Sequence, residues 1–414
     1  MWSIDKQLVK PALATILAGA IAGCASGPKV YDRATLAPSE QSLVNSKPAA
    51  LRADFQNLFE EGPRNKVLNL MEIGVKAYRA GYRDEAKNTL TQARLEIENV
   101  YADSDAARRA RSIWYEEAEK DFKGEPYERA MVYFYLGLIY LEDGDYGNAR
   151  ASFLAGLLQD AFAEEEQNST DFALLLYLAG WSALQMGSDQ LAAEHFEELK
   201  LYRPDAPIPE ANDNALLIVE TGKSPRKLGD GVGHYQLVYR RGKNFRDVGA
   251  EVRNGEEWSS VYPMEDVFFQ ASTRGGRAID RIVEGQIQFK ENTRAVGSTL
   301  STVSQDSILA GASAAAGGAL GAGFAAVSLI SVAADGLSAS ANTRADIRYW
   351  AGLPDTIHVI PVTAAEGEPV VVRFLDQYDQ PIPGLTDSTS FHFDGRGAGL
   401  AFATSRRPNP GETQ

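Results

Sequence analysis

The side chains able to do chemistry in this sequence are scattered along it. His195, His234, His358 and His392, the four histidines, stand at separations that fit no metal-ligand spacing. Glu116, Glu117 and Glu119, and again Glu164, Glu165 and Glu166, form acidic clusters with the pattern of a solvated helix face or loop. No nucleophile elbow, phosphate-binding loop or dinucleotide fingerprint occurs. These observations point away from an enzyme and imply no metal and no cofactor. The nearest approach to a site is Thr273-Arg274-Gly275-Gly276-Arg277. A Gly275-Gly276 turn can aim backbone N–H groups at an anion, and Arg274 and Arg277 can pair with a phosphate or carboxylate. The plainer reading of the same residues is a tight turn with solvated arginines. Cys24 is the single cysteine, so it has no internal disulfide partner, and chemistry other than oxidation is its expected use.

The residues before Cys24 supply that chemistry. Lys6 and Lys10 make a basic start, Pro11 to Ala22 a short apolar run, and Ile21-Ala22-Gly23-Cys24 resembles the lipobox of bacterial lipoproteins. The resemblance implies that residues 1–23 are a cleaved signal peptide. Cys24 would then carry a diacylglyceryl thioether and an amide-linked, palmitate-type chain. Several acyl chains on one residue hold a protein stably on a bilayer, whereas one does not. Ala25, where retention in the inner membrane calls for Asp, implies the outer membrane, with the chain on its periplasmic face. An ordinary cleaved signal peptide with an incidental cysteine is the alternative. Residues 24–55, rich in Ser, Ala and Pro, read as a flexible tether. The net charge of −15 argues against nucleic acid as a partner.

The element that organises the chain is helical. Tyr133, Leu136, Gly137 and Tyr140, followed by Ala149 and Phe153, keep the spacing of a tetratricopeptide repeat. Aligning on Gly137 finds Leu70, Ile73, Gly74, Gly81, Ala86, Leu90 and Ala93 upstream. Downstream it finds Leu176, Ala179, Gly180, Gly187, Ala192, Phe196 and Pro204. The key glycines are 63 and 43 residues apart rather than a uniform period, so insertions follow the first and second repeats. A TPR-like domain is therefore expected over 56–210. First helices of successive repeats line a groove, which by position presents Tyr78 and Arg79, Phe134 and Leu138, then Tyr177 and Trp181. Exposed aromatics beside an arginine suit a peptide partner. Packing of the same residues against an adjoining helix or the carboxyl-terminal half is the competing reading, because three repeats make a short groove.

The stretch FKGEPYERAMVYFYLGLIYL (122–141) resembles a family of bacterial outer-membrane tetratricopeptide lipoproteins of uncharacterised function. FFQASTRGGRAIDRIVEGQIQFK and ADIRYWAGLPDTIHVIPV are similar to that family too. The resemblance implies the architecture and brings no catalytic residues.

From about Val232 the apolar period becomes two. His234–Tyr239, Gly249–Arg253, Val267–Ala271 and Ile282–Phe289 read as strands, with Asn254-Gly255 and Gly275-Gly276 as turns. Thr356–Val362 and Pro369–Leu375 read as a hairpin, and Phe391–Phe393 with Leu400–Ala403 as a last pair. A sandwich-like β-rich module is expected over 226–292 and 346–405. The Gly/Ala-rich apolar segment 293–345 interrupts it. Ile308 to Ala334 carries one charge-free run with small-xxx-small glycine spacing at Gly317 and Gly321. A buried helical hairpin, an oligomer interface and a membrane-inserting element are all open to it. The expected fold class is α+β, an amino-terminal helical repeat domain followed by a β-rich module. The expected function is a periplasm-facing lipoprotein scaffold for envelope proteins. The alternative is a self-assembling or accessory subunit of an export or surface-polymer machine, a homo-oligomer joined through the Gly-rich segment.

Overall fold

Helices come first because the apolar residues recur at helical spacing and each run carries its own stop signal. In the computed structural model, which describes residues 33–101, 121–161, 172–230, 236–273 and 346–407, two short helices lead: α1 (Pro38–Ser46) and α2 (Arg52–Glu61). Three helical hairpins follow, α3 (Lys66–Arg79) with α4 (Arg83–Tyr101), α5 (Pro126–Glu142) with α6 (Tyr146–Ala161), and α7 (Ala173–Gln185) with α8 (Asp189–Tyr202). The three first helices end alike. Gly81, Gly144 and Gly187 take positive φ of 77°, 67° and 72°. One residue later Tyr82, Asp145 and Ser188 donate back to the carbonyls of Ala77, Tyr140 and Ala183, each at 2.9 Å. This is a glycine-terminated Schellman cap repeated three times.

The hairpins also close alike. A Cβ at Gly74 would lie 2.5 Å from Leu90, one at Gly137 would lie 2.2 Å from Phe153, and one at Gly180 would lie 2.7 Å from Phe196. In every hairpin a glycine on the first helix receives a large side chain sixteen positions further on. No other residue permits that approach.

From Leu36 onward the described residues form one compact unit. Its middle layer is a five-stranded sheet ordered β10 (His392–Phe393), β11 (Gly399–Thr404), β1 (Ala215–Thr221), β7 (Thr356–Val362) and β6 (Tyr262–Asp266). β1 lies at its centre, parallel to β11 and antiparallel to β7. Every residue of β1 is buried, as a strand covered on both faces requires. Leu216 and Ile218 point into the helical core together with Ile357, Val359, Leu400 and Phe402. Ala215, Leu217 and Val219 point the other way, with Ala401 and Ala403, onto Val370, Val372 and Phe374 of a second sheet. That sheet is ordered β5 (Glu257–Ser260), β4 (Gly249–Asn254), β8 (Pro369–Leu375) and β9 (Pro381–Ser390). A ribbon of β2 (Arg226–Asp230) and β3 (Gln236–Arg240), a short helix α9 (Val267–Thr273) and two single 3-10 turns (Ala49–Leu51 and Pro63–Asn65) complete the described elements. The architecture is α+β, with helices amino-terminal, strands carboxyl-terminal, and one sheet shared between two cores.

Four expectations are corrected. Residues 38–55 are not a tether: Val44, Leu51 and Phe55 are buried on the first hairpin, and Lys47 reaches Glu85 at 2.8 Å. Burying Leu51 and Phe55 outweighs the loop-like composition, at about 1.5–3 kcal/mol each. Residues 211–225, between the expected bounds of the repeat domain and of the β-rich module, contain the central strand β1. Val267–Ala271 is helical, because the Asp266 side chain accepts the N–H of Phe269 at 3.0 Å and caps a turn there. Finally, Thr356–Val362 and Pro369–Leu375 are strands but do not pair. β7 lies between β1 and β6, and β8 between β4 and β9. Asn214 holds both the N–H and the carbonyl of Ala364 (2.9 and 3.0 Å), so the connection crosses between sheets instead of turning within one. The strand expected at Ile282–Phe289 and the Gly-rich segment 293–345 lie outside the described residues.

The glycine contacts make a measurable claim. Gly137→Val is expected to lower unfolding free energy by about 1–3 kcal/mol, the usual cost of overpacking a core. Gly147→Ala, where nothing but a side-chain oxygen lies within 4 Å, is expected to be neutral in the same urea titration.

Candidate functional site

The chemistry of the fold is concentrated where the helical array meets the five-stranded sheet. Alternation along β1 turns Glu220 to the same side as Leu216 and Ile218, into the helices, with no exposed surface. A carboxylate there must find donors. Arg79 of α3 supplies them from Nε (2.7 Å) and Nη2 (2.6 Å), and the Tyr135 hydroxyl of α5 donates to the other oxygen. Thr404 of β11 approaches at 3.4 Å. Arg79 also donates through Nη1 to the carbonyl of Gly352 at 2.7 Å. Burial alone would lower the Arg79 pKa, but Glu220, Tyr135 and Glu72 together outweigh it and the guanidinium is held above its ordinary value. Arg406 sits behind the pair. Burial first, then the neighbouring charge of Arg79, brings it down to about 10, and its Nη2 is buried without a hydrogen-bond partner.

Further carboxylates staple the same junction. Glu128 of α5 accepts the N–H of Trp350 at 2.6 Å and, as an N-terminal capping residue, that of Glu125 at 2.7 Å. Glu72 of α3 accepts the N–H of Gly352 at 3.1 Å. Glu265 of β6 accepts the N–H of Leu174 at 3.2 Å, at the start of α7. Asp394, in the turn before β11, accepts the hydroxyl of Tyr146 from α6. Burial raises the pKa of Glu128 to about 7, although the Lys227 ammonium and the backbone donors pull it down.

These contacts settle where the expected groove residues lie. Tyr78, Arg79, Phe134, Leu138, Tyr177 and Trp181 are all buried, so they form no open docking groove. Tyr78 stacks edge-on against Phe402 of β11 at 4.9 Å, Arg79 is taken by Glu220, and Tyr177 packs on Phe196 of its own hairpin at 5.8 Å. Phe134, Leu138 and Trp181 belong to the common core. Three short hairpins present too little concave surface to stay open beside an apolar sheet face. Cys24 and Arg274, Gly275, Gly276 and Arg277 lie outside the described residues.

Two polar groupings look catalytic in type but are closed. Thr221 and His358 Nε2 are 2.9 Å apart, with His358 Nδ1 3.3 Å from the carbonyl of Val261. That is the outline of a hydroxyl and its base. Both residues are about 1% exposed, however, and burial lowers the His358 pKa to about 4. Arg241 bridges Asp266 at 2.6 Å and also Asp355, whose pKa burial raises. This cluster ties β6, β7 and the β3–β4 connection together. Among the described residues, no group of three His, Cys, Asp or Glu could hold a metal ion, and no helix is long and apolar enough to cross a membrane.

An open cleft does exist, at the rim of the junction. It has a volume of about 290 Å³ and is walled by Tyr78, Arg79 and Arg83 on the helical side and by His392, Phe402 and Arg407 on the sheet side. Glu142 also lines it, accepting the Tyr78 hydroxyl at 2.8 Å and facing Arg83 Nε at 3.1 Å. Burial raises the Glu142 pKa, against the pull of Arg83 and Tyr78. Sequence reasoning placed Tyr78 and Arg79 near such a surface but missed Glu142, Glu220, His392 and Arg407. The one local sign was a carboxylate closing the apolar run of β1. No protein-family model, curated protein or solved structure matches this chain.

Removing one partner of the central pair leaves a buried charge. Arg79→Met is expected to cost about 3–5 kcal/mol in denaturant titrations. The double variant Arg79→Met/Glu220→Leu is expected to recover much of that loss. Glu128 gives a pH signature. Its folded pKa is above the ordinary carboxylate value, so its stabilising contribution is fully present below pH 4.5 and is lost as pH rises through about 7. The stability of the wild type minus that of Glu128→Gln, followed by thermal melting, is therefore expected to fall as pH rises from 4.5 to about 7.

Proposed function

We propose that the chain is a lipid-anchored scaffold of the bacterial cell envelope, held on the periplasmic face of the outer membrane through Cys24 and without enzymatic activity. Its helical part is a TPR-like array, and its carboxyl-terminal part a sandwich-like module carried by that array. The observation that supports the repeat reading best is the threefold recurrence of one cap and one glycine contact in hairpins separated by unequal insertions. Helical hairpins that meet by chance have no reason to share both. The lipobox supports the anchor.

Because the concave face is filled from within, an envelope partner is met on the outer surfaces. Leu201 near the end of α8 and Tyr378 between β8 and β9 are large apolar side chains left 78% and 66% exposed, and they mark two such surfaces. Photoreactive residues placed there in cells, followed by mass spectrometry, are expected to capture a dominant envelope protein. Absence of any crosslink from either position would overturn the scaffold reading, and crosslinks only to a second copy would favour the self-assembling alternative. Cys24→Ala is expected to abolish incorporation of labelled palmitate and release the chain from the membrane fraction. Unchanged labelling would overturn the anchor.

A further inference from the structure

The rim cleft has features that the docking of helices on sheet does not require. Its floor is apolar: the Tyr78 ring, Leu400 and Phe402. Its walls hold the ends of guanidinium groups fixed from behind. Arg407 is anchored at Nε by both oxygens of Asp387 (2.8 and 3.0 Å) and at Nη2 by the carbonyl of Phe402 (2.9 Å). Arg83 is anchored at Nη2 by the carbonyl of Ile139 (3.2 Å) and by Asp143 (3.1 Å), with Glu142 beside its Nε. In each case Nη1, which carries two N–H donors, makes no hydrogen bond to the described residues. The exposed His392 ring lines the same cleft, as does the half-buried Thr389.

We infer that this cleft is a binding site for a small organic carboxylate whose apolar or aromatic body lies on Tyr78 and Phe402. The carboxylate would accept from Arg407 Nη1 and from Arg83 Nη1 or His392. Anchored guanidinium groups lose little freedom on binding, and charge-assisted hydrogen bonds to a carboxylate are among the strong ones. Electrostatics select a monoanion over a phosphate. Asp387 and Asp143 already neutralise much of the charge behind the arginines, and Glu142 faces the cavity, so a dianion is repelled where a single charge is accepted. The volume of about 290 Å³ is at the small end of ligand sites and suits a compact molecule. Nothing in this inference depends on the proposed scaffold role or on the membrane anchor.

The test is titration calorimetry on the full-length chain in detergent micelles. Its probes are phenylacetate, the neutral isostere phenylacetamide, and inorganic phosphate. One-to-one binding of phenylacetate is expected, with the amide at least about tenfold weaker, the usual worth of a hydrogen bond to a charged group. Arg407→Met is expected to weaken phenylacetate about tenfold, and His392→Ala, at an exposed position, severalfold with an unchanged melting temperature. The proposal is overturned if no carboxylate binding is detected, if amide and carboxylate bind alike, or if both variants bind as the wild type does. Phosphate binding in place of phenylacetate, lost in the same variants, would overturn the assigned ligand class.

Discussion

The structure depends on a carboxylate that has nowhere to go but into protein. Glu220 stands in a strand covered on both faces, and pleating alone sends its side chain toward the helices. Removing such a charge from water costs several kcal/mol, so it persists only where donors converge on it. The donors come from two different hairpins, Arg79 from the first and Tyr135 from the second. One buried residue thereby sets the relative placement of two helical hairpins and a sheet. The neighbouring staples at Glu72, Glu128 and Glu265 repeat the device with backbone N–H groups as donors. Apolar packing supplies the larger share of the stabilisation but has no directional preference. The carboxylates determine which register of helix on sheet is the allowed one.

This arrangement changes what a set of helical hairpins can do. In an isolated array each repeat meets only its neighbours, and the concave face is free for a partner. Here that face is joined to β1, β7 and β11 in one continuous core. A partner competing for Phe134 or Trp181 would have to strip the sheet away and expose Glu220 and Arg79 together. What stays accessible on the hairpins is thereby their edges and outer faces.

Much of the helical half was legible in the sequence because its signals are local. The spacing of Gly137 with Phe153, and of Gly81, Gly144 and Gly187 with the helices before them, specifies each hairpin by itself. The β half was legible only as strands. Thr356–Val362 and Pro369–Leu375 have the right bounds, yet a short linker reads the same whether it reverses a strand within one sheet or crosses to another. The side chain of Asn214 decides between these, from 150 positions away in the chain. Val267–Ala271 is a short apolar run that fits either period, and Asp266 tips it to helix. Residues 38–55 look like linker by composition, while their placement rests on only three buried apolar side chains. The site was the least legible part. Glu142, His392 and Arg407 are unremarkable in sequence and become neighbours only once β11 lies against α3 and α5.

The rim cleft follows from the same constraint that fills the groove. Glu220 and Arg79 draw β1 and β11 onto the first two hairpins, and the packing of Tyr78 on Phe402 extends that contact to the edge of the sheet. Beyond it His392 of the short strand β10, Arg83 just after α3 and Glu142 at the end of α5 line the open cleft. The polar residues at those ends are not loose surface charges. Arg83 is tied to α5 through Ile139, Glu142 and Asp143, and Arg407 to β9 through Asp387, so the cleft holds two guanidinium groups that neighbouring elements have already oriented. Pre-orientation of this kind separates a binding cleft from a gap between packed layers. It ties the cleft to the junction: any change that lets β11 drift from α3 separates Arg407 from Arg83 and removes the floor between them.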